Sequence, residues 1–137
     1  MGKKILFGII LIGVLALIGY FVILANFDLF DKPIETELKT ECDYEGVRKI
    51  RMTEMSGNAT SNKSIHIYVT DCNDDEYSYH EPIFTVSASF IKPNLVDFEW
   101  KNMDTVTIKY DKKLDVFEKI IVSETTKPKL TLEYIME

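Results

Sequence analysis

Glycine, histidine and cysteine are scarce in this 137-residue chain, and each scarcity removes a class of chemistry. Of six glycines, three (Gly8, Gly13, Gly19) sit inside an apolar run, so no glycine-rich phosphate loop is present. His66 and His80 are the only histidines, and no G-x-S-x-G supplies a nucleophile elbow for them to serve. Cys42 and Cys72 are too far apart for a C-x-x-C redox pair and too few for a structural zinc site. Positive charge is also short, 16 Lys plus Arg against 22 Asp plus Glu, a net charge of −6. That balance disfavours a nucleic-acid binder. No cofactor is expected.

Apolar residues are abundant and unevenly placed. Of 63 residues of the AVILMFWYC class, 18 fall in the 21 positions of Ile5–Ala25. The run carries no charge. As a helix rising about 1.5 Å per residue it spans roughly 32 Å, enough for a hydrocarbon core of about 30 Å. The backbone must satisfy itself in that medium, which forces a helix despite the glycines. Lys3 and Lys4 precede the run while Asp28 and Asp31 come after it. The basic flank puts the N-terminus in the cytoplasm and the rest of the chain outside. The expected organisation is a cytoplasmic stub (1–4), a transmembrane helix (5–25), a linker (26–35) and an extracytoplasmic domain (36–137), with the lipid bilayer as first partner. The competing reading is a cleaved signal peptide and a secreted protein. A signal core should be about 7–15 residues, ahead of an A-x-A-like site. Here the core is longer, and Ile23 stands where a small residue is wanted.

Outside the cytoplasm two cysteines meet an oxidising medium. A Cys42–Cys72 disulfide is therefore expected, and its closed loop is worth roughly 3–4 kcal/mol. The glycosylation patterns at Asn58 and Asn62 matter only in a eukaryote, whereas 14 Lys against 2 Arg, with 16 Ile, suits an AT-rich bacterial genome.

Beyond the linker the hydrophobic period is two, the mark of strands. Ile34, Thr36, Leu38, Thr40 and Cys42 alternate with Glu35, Glu37, Lys39 and Glu41. This strand is thinly apolar and belongs at an edge, or partly in the linker. Ile50 and Met52 face inward with Arg51 and Thr53 outward, and Ile65, Ile67 and Val69 alternate with His66 and Tyr68. The predicted core is Phe84, Val86, Phe90, Phe98, Trp100, Val106, Ile108, Tyr110, Leu132 and Tyr134. Leu114–Val122 has helical spacing but a β-branched composition, and reads as strand. Short connections cannot carry crossover helices. The fold class is thus mainly β, an N-terminal transmembrane helix followed by a small antiparallel β-sandwich or barrel-like sheet. Val96 to Tyr110 (VDFEWKNMDTVTIKY) resembles a segment of small membrane-anchored bacterial proteins without assigned chemistry. The resemblance implies a β-rich, tethered protein and no site.

Asp71 to Glu76 spaces oxygens as a calcium loop begins. Glu76 and Pro82 then stand where an EF-hand needs Gly and Glu, so a solvated acidic turn is preferred to a cation site. Surface histidines are preferred to a general base, and packing of Tyr77, Tyr79 and His80 over the end of the sheet is preferred to contact with a partner or glycan. The remaining reading is a non-catalytic binding module on a single-pass anchor. Its candidate partner surface is Glu35, Glu37, Glu41, Asp71, Asp74, Asp75, Glu76, Tyr77 and Tyr79. That surface suits a basic extracytoplasmic protein, by charge complementarity or strand addition. The alternative is a small envelope enzyme or metal-dependent hydrolase, which needs a concave, preorganised site.

Overall fold

The computed structural model describes residues 2–26, 33–57, 63–75, 80–88, 92 and 94–137. The chain divides into a helical unit and a β-domain that begins at Pro33. Helix α1 (Gly2–Asn26) has no charge after Lys4, and its large apolar side chains from Ile5 to Leu24 are 50% to 70% exposed. Such a helix is apolar on every face. It is long and apolar enough to cross a membrane, a form that a signal sequence shares.

The domain contains β1 (Ile34–Cys42), β2 (Arg48–Ser56), β3 (Lys63–Asp71), β4 (Phe84–Ala88), β5 (Val96–Asn102), β6 (Thr105–Tyr110), β7 (Asp115–Lys119), β8 (Val122–Ser123) and β9 (Leu130–Met136). They form a five-stranded sheet, β1-β2-β3-β4-β7, and a four-stranded sheet, β5-β6-β9-β8. Both sheets keep open edges, so the sandwich expectation holds and the barrel-like one does not. Pairing is antiparallel except between β6 and β9. Parallel neighbours need a long crossover. Here β7 supplies it by visiting the other sheet, with no helix.

The inner faces meet in one core. Ile50, Met52, Ile65, Ile67, Val69, Phe84 and Val86 pack toward Val96, Phe98, Trp100, Val106, Ile108, Tyr110, Leu130 and Leu132. The predicted core is buried there, with Tyr134 partly buried and Phe90 outside the described residues. The Phe84 ring lies 5.2 Å from Tyr110 and 5.4 Å from Tyr134, a tilted aromatic cluster. The Tyr134 hydroxyl donates to Ile120 O at 2.6 Å, and burial pushes its pKa up.

Bulges account for the local departures from period two. In β1, Glu37 faces Thr53 and Lys39 faces Met52, so Leu38 is the extra residue. The alternation expected from Ile34 to Cys42 therefore breaks in the middle, and Lys39 joins the inner face while Leu38 stays exposed. The strand also starts at Ile34, inside the span expected to be linker. In β7, Phe117 is the extra residue between Val116 and Glu118 and is 71% exposed. The chain then switches sheets at Ile120, which packs on the core. Asp115–Lys119 and Val122–Ser123 are thus strand, and the helical spacing across Leu114–Val122 comes from a bulge and a crossing between sheets. A third bulge lies at Lys101 in β5. All three bulged strands are edges, where bulges hinder pairing with another chain.

Candidate functional site

Cys42 ends β1 and Cys72 comes just after β3, so their disulfide, with 5.7 Å between Cα atoms, passes over the start of the intervening β2. Cys72 N–H donates to Val47 O at 2.9 Å, completing the tie. The bond gathers Glu41 with Asp71, Asp74 and Asp75 at one end of the sandwich. Glu35 lies six residues back along β1, roughly 20 Å away at about 3.3 Å per residue. The candidate carboxylates therefore form no single patch. Several are also engaged within the domain. Glu37 pairs with Arg51 at 3.1 Å and Asp75 with Lys49 at 3.3 Å, while Asp74 meets His80 Nε2 at 3.4 Å. Glu41 and Asp71 are exposed. Glu76, Tyr77 and Tyr79, and the glycosylation patterns at Asn58 and Asn62, lie outside the described residues.

The outward side of β2 and β3 is polar but not solvated. Lys49, Arg51, Thr53, Tyr68 and Thr70 are all buried. Glu37 from β1 and Asp75 from the acidic turn pair with the two cations there. Ser64 Oγ and His66 Nε2 are 2.9 Å apart on this side. His66 Nδ1, Thr53 Oγ1 and Glu35 Oε1 are buried without a hydrogen bond among the described residues. Burial lowers the His66 pKa, and the Glu35 charge opposes it only in part. Ser and His alone do not make a nucleophile site, which also needs donors for an oxyanion. β3 is paired on both sides through Ser64 and His66, so its N–H groups are committed to the ladders. Among the described residues no three His, Cys, Asp or Glu side chains gather to hold a metal ion.

The most elaborate polar site was not anticipated. Arg48, in phase with Ile50 and Met52, points between the sheets and is 2% exposed. All five of its N–H donors find acceptors. Nε donates to Asp43 Oδ2 at 3.2 Å. Nη1 donates to Pro128 O at 3.0 Å and Lys129 O at 3.4 Å. Nη2 reaches Met103 O, and Asp104 Oδ1 at 3.0 Å. The guanidinium also lies 5.9 Å from the Trp100 ring centroid. Asp43 is set in place by a turn in which Gly46 takes a positive φ of 70°, and its carboxylate accepts from Val47 N–H and Arg48 N–H. Burial pushes the Asp43 pKa up, but these hydrogen bonds and the Arg48 charge outweigh it, and the net pKa is lowered. This network clamps β2 to the β5–β6 turn and to the segment before β9. Its signal in the sequence was the parity of Arg48 with Ile50.

The other end of the sandwich is open. A cavity of about 400 Å³ lies between the sheets, walled by Leu38, Met52, Ile65, Leu95 and Val96, with Lys39, Glu54, Lys92, Asn94 and Asp97 completing it. Above it Lys39 Nζ bridges the two edge strands, donating to Asp97 Oδ1 at 2.7 Å and Phe98 O at 2.6 Å. No protein-family model matches the chain, and no curated protein or solved structure matches it significantly.

Proposed function

We propose that this chain is a single-pass membrane protein whose β-sandwich stands outside the cytoplasm as a non-catalytic binding module. Its partner would be a basic protein, docked at the acidic end beside the Cys42–Cys72 bond. The observation that carries the reading is the union, in one chain, of a span-length apolar helix and a disulfide-bonded domain. A structural disulfide persists in an oxidising compartment, and the helix, with Lys3 and Lys4 ahead of it, supplies the route there. Charge complementarity rather than strand addition is the favoured docking mode, because β1 is interrupted at Leu38 and carries alternating charges.

Extraction of membranes with alkaline carbonate should leave the full-length chain in the pellet. Its release, or a mature N-terminus at Asn26, overturns the anchor in favour of a secreted protein. Crosslinking in whole cells should capture a basic partner that is lost at high salt and in the Glu41→Lys/Asp71→Lys variant. Equal capture by that variant overturns the acidic docking end. Turnover by the purified protein that His66→Ala abolishes would replace the binding module with an enzyme.

A further inference from the structure

We propose that the cleft between the two sheets binds a single-chain anionic amphiphile, a molecule with one apolar tail and a carboxylate or phosphate head. The inference goes beyond the docking of a protein partner and uses the opposite end of the sandwich.

The bulge of β1 lies at the mouth of the cleft. The extra residue Leu38 sits at the lip, 44% exposed, while Lys39 turns inward and ties β1 to β5 above the opening. Below that tie no hydrogen bond or ion pair links β1 to β5 among the described residues. Met52 and Ile65 from one sheet face Val96 from the other across a space of about 400 Å³. Met52, Ile65 and Val96 are only 2% to 6% exposed, and a space with such shielded apolar walls favours an apolar occupant over water. The volume is near the low end of the ~300–1,000 Å³ typical of small-ligand sites, which suits one chain and not a two-chain lipid.

The rim selects the head. Four charged residues line the opening, and three have partners. Lys39 pairs with Asp97 at 2.7 Å, and Glu54 pairs with Lys63 at 2.7 Å. Lys92 is exposed and makes no ion pair or hydrogen bond through its side chain among the described residues. The remaining charge at the mouth is one positive, which attracts an anionic head and repels a cationic one.

The test uses the full-length chain in nanodiscs of zwitterionic lipid, with a diazirine-bearing fatty acid as the probe and a diazirine-bearing diacyl phospholipid as the contrast. Both probes should label α1, which reports membrane insertion separately from the cleft. Only the fatty acid should label, saturably, the peptides holding Met52, Ile65 and Leu95–Val96. Lys92→Glu should weaken that labelling about tenfold, the loss of one charge-assisted contact. Leu38→Trp should reduce it by filling the lip. The methyl ester of a fatty acid, with the same tail and no charge, should compete about tenfold less well than the acid, a comparison that needs no variant to fold. Absent labelling of those peptides, labelling indifferent to Lys92→Glu, equal competition by the ester, or equal labelling by the diacyl probe would each overturn the proposal.

Discussion

Where β2 begins, the space between the sheets holds the Arg48 side chain and its five acceptors. Where β2 ends, the same space holds a cleft of about 400 Å³. Each end carries a cation that spans the two sheets, and the two cations sit in different solvents. The Arg48 side chain and the Asp43 carboxylate that faces it are 2% and 1% exposed. Lys39 and Asp97 are 35% and 56% exposed. A buried guanidinium has no water to fall back on, so its partners are obligatory, whereas a half-exposed ammonium keeps water as a substitute. The closed end is therefore expected to carry more of the domain's stability, and the open end carries the proposed ligand site.

The comparison is broken most directly at Arg48. Arg48→Met leaves the buried Asp43 carboxylate with its two backbone donors but without its counter-charge, and removes the donor to the carbonyls of Met103, Pro128 and Lys129, so it should cost about 3–5 kcal/mol in denaturant unfolding. Adding Asp43→Asn should recover part of that loss, because an uncharged side chain is cheaper to leave buried. A single variant within about 0.5 kcal/mol of the wild type would mean the clamp contributes nothing. The disulfide acts at the same end by a different route, through the unfolded chain. Cys42→Ser should lower stability by roughly 3–4 kcal/mol for this loop length, and reductant should do the same to the wild type but not to the variant.

Acid separates the two polar sites. Asp43 has a lowered folded-state pKa, below the unfolded value of about 3.9. Its contribution is complete above that value and is lost as pH falls through the folded-state pKa, so Asp43→Asn should flatten the stability profile only below about pH 4. His66 also has a lowered folded-state pKa, from burial. It is a base, so protonation favours the unfolded chain, and the loss begins as pH falls below about 6.5. His66→Gln should flatten that earlier window. Urea melts at closely spaced pH values resolve the two, and a single acid transition unaffected by either change would refute both assignments.

Much of the core was legible and much of the polar chemistry was not. Val96, Phe98 and Trp100 against Val106, Ile108 and Tyr110 keep period two on either side of the Lys101 bulge, so residue parity alone put them inside. The cysteine pair had one possible partner each. Arg48 was missed because three of its acceptors are backbone carbonyls, and these carry no side-chain signature. The bulges at Leu38 and Phe117 were missed because a bulge turns the next residues of its strand to the other face without changing composition. That error split the expected acidic strand and hid Lys39 from the interior. The cleft is assembled from β1, β2, β3 and the segment entering β5, and no local pattern announces such a site.

The smallest effect is expected at Lys39. Burial pushes the Asp97 pKa up, while hydrogen bonds from Lys39 and Phe98 N–H and the Lys39 and Lys109 charges outweigh it, so the net pKa is lowered. The pair is real but solvent-screened. Lys39 also lies 4.5 Å from the Phe98 ring centroid and donates to Phe98 O. In Lys39→Ala that carbonyl, part-buried on the edge strand β5, loses a donor that water can replace. The substitution should cost about 1 kcal/mol or less, and 1 M salt, with a Debye length of about 3 Å, should shrink the wild type's advantage further. The decisive comparison sets Lys39→Ala beside Arg48→Met in the same denaturant series. If Lys39→Ala is as damaging as Arg48→Met, the cleft mouth is a structural seam and not an open end. If it is mild and salt-sensitive, the division of the sandwich into a closed end for stability and an open end for ligand stands.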